Sequence, residues 1–154
     1  MEPKRGIHQV RHLTSHLTRG AAVESDTPSF QPGVRQDQIE LTIPARAEYV
    51  AVVRLTIAGV AGRMSFSYEA SEDLKVAVSE ACTVAVLSGG PKVQVRLEMA
   101  SDRLVVRVTY QASGRSDERG QERELAMLLI GCLMDEVRTE RRGPQHVIWM
   151  TKRL

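Results

Sequence analysis

Three histidines near the N-terminus have a spacing that could hold a metal ion. His8, His12 and His16 recur every four residues, so a helix over residues 7–19 would put the three imidazoles on one face. Imidazole nitrogen is a common ligand of zinc. A solvated or frayed helix is the alternative, and it is favoured because no Cys, Asp or Glu stands at ligand spacing nearby. We therefore predict no metal site.

Carboxylates mark the longest amphipathic helical pattern, at 69–87. Glu69, Glu72 and Asp73 stand near its start, where the helix dipole is positive and favours negative side chains. Further along, Glu80 and Val84 are four residues apart and so share one face. The run Ser88-Gly89-Gly90-Pro91 ends the pattern. Any chemistry on this helix depends on what stands beside Glu80.

Basic residues concentrate near the C-terminus, at 138–142 and 152–153. Such a patch could bind RNA or DNA, but a charge run is more often a solvated face, and no aromatic residue interleaves the run at 138–142. The net charge is only +2, so the protein has no strong field for nucleic acid. We predict no direct nucleic-acid partner.

The composition is that of one globular domain of 154 residues. The chain has no apolar run long enough to span a membrane and no apolar core of a signal peptide. Cys82 and Cys132 both fall in apolar helical patterns, which favours buried, reduced thiols and a cytoplasmic location. Residues 1–37 are basic and poor in large apolar groups, so they are expected to form a flexible arm, with the folded domain at 38–154.

Periodicity predicts the elements of that domain. Alternating residues indicate strands at 39–44, 93–97 and 104–108 and a final hairpin over 137–152, while helical stripes indicate helices at 47–62, 69–87 and 122–136. The inward stripe of the first helix is Val50, Val53, Ile57 and Val60, and that of the third is Leu125, Leu128, Leu129 and Cys132. This order predicts an α+β, two-layer sandwich of helices on a mixed, largely antiparallel sheet.

Two segments carry a family resemblance. Residues 43–86, from IPARAEYVAVVRL to SEACTVAV, and the run LMDEVR at 133–138 resemble the RsbW/SpoIIAB-type anti-sigma factors. These are serine kinases with the histidine-kinase-like ATPase fold, and the resemblance covers about residue 39 to the C-terminus. It implies that fold, a homodimer, and partners of two kinds: a sigma factor and an anti-anti-sigma (STAS-domain) protein. Stress response and sporulation are the processes it suggests.

The resemblance also implies an ATP site, which this chain departs from at every motif. In the family a Glu acts as base and an Asn four residues later holds Mg²⁺; here the Glu is Glu80 and the Asn is Val84, which has no oxygen for a hard cation. The adenine-binding Asp-x-Gly aligns with Tyr110 and Ala112.

A Gly-x-Gly turn lets backbone amides approach phosphate in the family, and it aligns here with Glu124 and Ala126. About a dozen residues separate Tyr110 from Glu124, so the resemblance implies a shortened ATP lid. We therefore expect no ATP, Mg²⁺ or other cofactor, and Glu80 as a vestigial base or an ordinary exposed or hydrogen-bonded helix residue.

The leading hypothesis is an anti-sigma factor-like regulator that binds its partners without kinase activity. Its contact strip on the first helix would be Tyr49, Arg54 and Ala58; the resemblance makes Arg54 the anchor for a partner carboxylate, and a solvated arginine is the alternative. One rival is an active serine/threonine protein kinase that uses ATP and Mg²⁺ through altered contacts. Another is a structural subunit that pairs with an active paralogue.

Overall fold

The computed structural model describes residues 37–114 and 120–154. Five strands and three α-helices follow in the predicted order, and a 3-10 turn at Ala47–Tyr49 leads into the first helix. The expected arm apart from Asp37, with His8, His12 and His16, lies outside the described residues, and so do residues 115–119 of the expected lid. The elements are β1 (Asp37–Pro44), α1 (Val50–Arg63), α2 (Tyr68–Leu87), β2 (Gly89–Met99), β3 (Arg103–Ala112), α3 (Gly120–Leu133), β4 (Glu136–Arg142) and β5 (Gln145–Arg153).

The sheet has the strand order β1-β2-β3-β5-β4, and its four pairings are all antiparallel. One face is buried because apolar residues alternate along each central strand: Val93, Val95 and Leu97 on β2 are at most 1% exposed. The helices cover this face, so the predicted two-layer α+β sandwich is confirmed, but the sheet is antiparallel at all four pairings and is not mixed. Among the described residues, no helix is both long and apolar enough to cross a bilayer.

The first two helices form as their patterns predict. Val53, Ile57 and Val60 of α1 are buried, which confirms the inward stripe of that helix. The start of α2 is fixed by Ser67, whose Oγ accepts a hydrogen bond from Ala70 N at 3.1 Å. α2 lies between the other two helices and packs against both.

The third helix presents a different face to the core from the one predicted. Leu125, Leu128 and Leu129 are 68%, 66% and 39% exposed, and Cys132 is exposed too, so the predicted inward set is wrong. Its buried residues are Ala126 and Ile130. The helix is apolar on nearly every side, so two stripes compete, and packing on α2 selects the one whose small alanine permits close approach.

Two further expectations are corrected by this helix. Cys132 is not a buried thiol, whereas Cys82 on α2 is fully buried. The helix also ends at Leu133 rather than at 136, because Asp135 N already donates to Thr151 O of β5 at 3.0 Å. That bond begins the β4–β5 pairing, so the chain leaves the helix to join the sheet.

Candidate functional site

The end of α2 is held against the end of β3, and this junction assembles the candidate site. Ser113 N donates to Ser88 O at 2.9 Å, and Ser113 Oγ donates to the same oxygen at 3.2 Å. Gly90 lies so close to β3 that a Cβ there would be 2.3 Å from Gln111 O, so no larger residue fits without a shift of the backbone. The helix that carries Val84 and the strand that carries Tyr110 therefore meet at this end of the domain.

Val84 is part of the hydrophobic core. Its side chain is 5% exposed and belongs to the buried cluster of the domain. Glu80, one turn earlier on α2, is half-buried. A valine presents only hydrocarbon, so the pair Glu80 and Val84 offers a single carboxylate where a hard cation needs several oxygen ligands. Within residues 37–114 and 120–154, no three His, Cys, Asp or Glu side chains are grouped to hold a metal ion.

Tyr110 lies in a small buried cluster that joins three elements. Its ring on β3 is 5.4 Å, centroid to centroid, from the ring of His146 on β5, with the planes tilted by 37°. Arg123, from the first turn of α3, places its Nη2 3.4 Å from His146 Nδ1. Tyr110 is 2% exposed and His146 is 5% exposed. These side chains fill the space at the end of β3 with an aromatic ring, an imidazole and a guanidinium.

The protonation states of this cluster follow from burial. Desolvation lowers the pKa of His146 below its ordinary value of 6.5, and the positive charges of Arg123 and Arg141 lower it further. The imidazole is therefore neutral at pH 7, and its Nδ1 can accept from Arg123. Burial raises the pKa of Tyr110, an effect that Arg123 partly offsets, so the phenol is neutral as well. The cluster offers no carboxylate acceptor to an adenine amino group.

The start of α3 carries a negative charge instead of a glycine turn. Glu124 is exposed in the first turns of the helix, and Ala126 is 8% exposed and packs into the core. A carboxylate at a helix N-terminus interacts with the dipole that would otherwise attract phosphate. Ala112, at the end of β3, is half-buried. Neither alanine has the freedom of the glycine that the family motif requires at its position.

The outer side of α1 is an exposed surface of mixed character. The predicted strip residues Tyr49, Arg54 and Ala58 are all exposed. The sequence reasoning missed Val52 and Leu55, which are 46% and 74% exposed and extend the same surface with apolar area. Aliphatic side chains next to an aromatic and an arginine are a frequent composition of protein interfaces. This composition makes the outer side of α1 a candidate surface for protein binding.

His146 was also missed, although the sequence contains a signal for it. His146, Ile148 and Met150 alternate along β5 and all three point into the core, so the period of two that defines a strand predicts an inward histidine. Its partner Arg123 could not be found this way, because the two residues lie in different elements and meet only in the folded domain.

A family model and individual relatives assign this chain to the same family. A family model described as the histidine kinase-like ATPase domain matches residues 43–152. The serine-protein kinase RsbW of Bacillus subtilis (strain 168) is 37% identical over 139 residues, which cover 77% of this chain and 86% of the relative. The serine-protein kinase RsbW of Bacillus velezensis is 40% identical with the same coverage.

Solved structures include one with the same fold. The crystal structure of the RsbU and RsbW domains of a Mycobacterium tuberculosis protein superposes with a TM-score of 0.62 at 17% identity. The match covers 77% of this chain and 32% of that longer chain. At this identity the similarity concerns the fold alone.

Proposed function

Because the chain belongs to the RsbW-type family of histidine kinase-like ATPase domains, we propose that it is an anti-sigma factor-like regulator that works without Mg-ATP. Its relatives are named serine-protein kinases, and the regulator would keep their protein partners while lacking their phosphoryl transfer. The partners would be a sigma factor, an anti-anti-sigma (STAS-domain) protein, or both.

The observation that carries the loss of ATP binding is the burial of Val84. The residue is 5% exposed in the core, so neither its own side chain nor a water molecule held by it can supply an oxygen ligand to Mg²⁺ there. The cluster of Tyr110, His146 and Arg123 supports the same proposal, because it fills the end of β3 where the resemblance puts adenine. Glu124 supports it by adding negative charge where phosphate would approach.

Partner binding is assigned to the outer side of α1. Arg54 can donate two parallel hydrogen bonds to a carboxylate of the partner, and the exposed Leu55 beside it can bury apolar area next to that contact. In this arrangement regulation depends on how the two partners compete for one surface. Without phosphorylation, their relative abundance sets the outcome.

The test separates ATP binding from partner binding. Isothermal titration of the full chain with Mg-ATP should give no saturable heat while circular dichroism shows a folded protein. Sigma factors and STAS-domain proteins from the same genome are then titrated, and at least one should bind. Arg54→Glu should weaken that binding by about tenfold or more, whereas Arg142→Glu, an exposed charge reversal on β4, should not.

The opposite results would overturn the proposal. Saturable Mg-ATP binding, followed by phosphate transfer to a serine of the STAS-domain protein that Glu80→Gln abolishes, would make the protein an active kinase. If the chain binds neither sigma factors nor STAS-domain proteins, it is not an anti-sigma factor-like regulator.

A further inference from the structure

The outer side of α3 carries a continuous apolar stripe. Its members are Leu125, Leu128, Leu129 and Cys132, which we call the α3 stripe. The three leucines are 68%, 66% and 39% exposed, and the cysteine is exposed. The spacing i, i+3, i+4, i+7 puts all four side chains on one face of the helix. The opposite face of the same helix is the one that packs into the core through Ala126 and Ile130.

A helix that is apolar on both sides is normally covered on both sides. Single exposed leucines need no explanation, but a row of three with a cysteine is a contiguous apolar patch of the kind that marks an interaction site. We propose that the α3 stripe docks an amphipathic helix with basic flanks, supplied by a partner protein.

The spacing of the stripe explains why the partner is a helix. Residues at i, i+3, i+4 and i+7 form a ridge whose grooves accept the side chains of a second helix, as in coiled coils and in helix-in-groove complexes. The stripe extends over two turns, so a partner helix of a few turns would cover it.

Charges at the N-terminal end of the stripe explain why the partner is basic. Beyond the C-terminal end, Asp135 and Glu136 already contact Arg153, through its backbone N–H and its guanidinium respectively. Beside the N-terminal end, Glu122 and Glu124 are exposed. Lysines or arginines that flank the apolar face of a partner helix would lie opposite these carboxylates.

The same glutamates argue against a parallel pair formed by two copies of this chain. In that pair Glu122 and Glu124 of one copy would each lie near their own equivalents in the other, and like charges brought together disfavour the pairing.

This surface is separate from the one proposed on α1. α2 lies between α1 and α3 and packs against both, so the α3 stripe and the α1 face can be occupied independently. The inference therefore does not depend on the identity of the partner that binds α1.

The test uses two synthetic helical peptides of about three heptads. Both carry leucines at the core positions; one has lysines on the flanks and its twin has glutamates. Binding of each labelled peptide to the full chain is followed by fluorescence anisotropy. The lysine peptide should bind saturably, and the glutamate twin should bind at least about tenfold more weakly.

Variants then locate the binding. Leu128→Lys should weaken binding of the lysine peptide by about tenfold or more, because it puts a positive charge into the centre of the stripe. Leu154→Lys is the matched control, since it changes another exposed leucine, 56% exposed, that lies outside both proposed surfaces; it should leave the affinity unchanged. Circular dichroism verifies that each variant is folded.

Several outcomes would overturn the inference. Equal or tighter binding of the glutamate twin would contradict a basic partner, and equal weakening by Leu154→Lys would contradict the location. If neither peptide binds saturably, the α3 stripe is not a docking site for a helix. Self-association in sedimentation that Leu128→Lys abolishes would make the occupant a second copy of the chain.

Discussion

The ammonium group of Lys152 donates to Asp73 Oδ2 at 3.0 Å and, in addition, to the carbonyl oxygen of Leu133 at 2.7 Å. One side chain from β5 thereby joins α2 to the last residue of α3. Lys152 is largely buried, with 14% of its side chain exposed, and Asp73 is 36% exposed. The pair fixes the point at which both helices meet the sheet.

Lys152→Met should lower the free energy of unfolding by about 1–2 kcal/mol. The methionine keeps most of the apolar stem but leaves the Leu133 carbonyl and Asp73 without their donor, and the partial exposure of Asp73 moderates the loss. Urea unfolding measures the change. Arg153→Met, which removes an exposed ion pair with Glu136, should change stability by less than about 1 kcal/mol; equal losses would contradict the role of Lys152.

Substitutions on opposite sides of α3 should differ sharply. Ile130→Ala should lower the free energy of unfolding by about 2–5 kcal/mol, because the residue is fully buried and a cavity would remain. Leu128→Ala should change it by no more than about 0.5 kcal/mol, because its side chain is mostly exposed. Thermal or urea unfolding compares the two variants, and similar losses would restore the orientation first predicted from the sequence.

The buried imidazole should make stability depend on pH. The folded-state pKa of His146 lies below 6.5, so the unfolded chain binds more protons in mild acid. The stability that rests on neutral His146 is present above about pH 6.5 and is lost as the pH falls through the folded-state pKa. His146→Gln lacks this contribution, so the stability difference between the two proteins should shrink from about pH 7 to about pH 5.

Urea unfolding at several pH values measures that difference. Carboxylates titrate in both proteins, so they do not enter the comparison. A difference that stays constant, or that grows as the pH falls, would show that His146 is not held neutral in the fold.

The two thiols should react at very different rates. Burial raises the pKa of Cys82 to about 12, and the residue is fully buried, so neither thiolate nor access is available in the native state. Cys132 is exposed. A thiol reagent should therefore modify one cysteine quickly in buffer and both in urea. Mass spectrometry of the modified protein, or Cys132→Ser as a control, identifies which thiol reacts first.

Val84→Asn should not restore nucleotide binding. The asparagine would bring a polar amide into the core, which should cost about 1–3 kcal/mol if the amide finds no partner. Tyr110, His146 and Arg123 would still fill the end of β3, and Glu124 would still repel phosphate. Isothermal titration of this variant with Mg-ATP should give no saturable heat. Restored binding would mean that Val84 alone blocks the site.

The sequence predicted correctly which side of an element faces the core where only one side of that element is apolar. Along β2, apolar and polar residues alternate strictly, so Val93, Val95 and Leu97 could point only to the core, and the structure confirms this. The third helix has apolar residues on two faces, so Leu128 and Ile130 fit an inward position equally well by type. Only the distance between α3 and the layer beneath it decides between them.

The sequence predicted one part of the candidate site, the position of Val84, but not the cluster around Tyr110. Val84 could be located because it lies within a continuous match to the family, and its valine identity already excludes a metal ligand. The cluster around Tyr110 depends on β5 and α3, which the chain brings to β3 only through the strand order. No local pattern connects Tyr110 with Arg123, so their contact had to come from the structure.

Both outer strands of the described sheet carry charged residues, and β4 consists mostly of them. β4 consists of Glu136, Val137, Arg138, Thr139, Glu140, Arg141 and Arg142, and β1 carries Asp37 and Glu40 and ends at Pro44. Charged side chains and proline at a sheet edge oppose the addition of another strand. The two borders of the sheet thus act as barriers to edge-to-edge aggregation, which would otherwise extend the sheet from one molecule into the next.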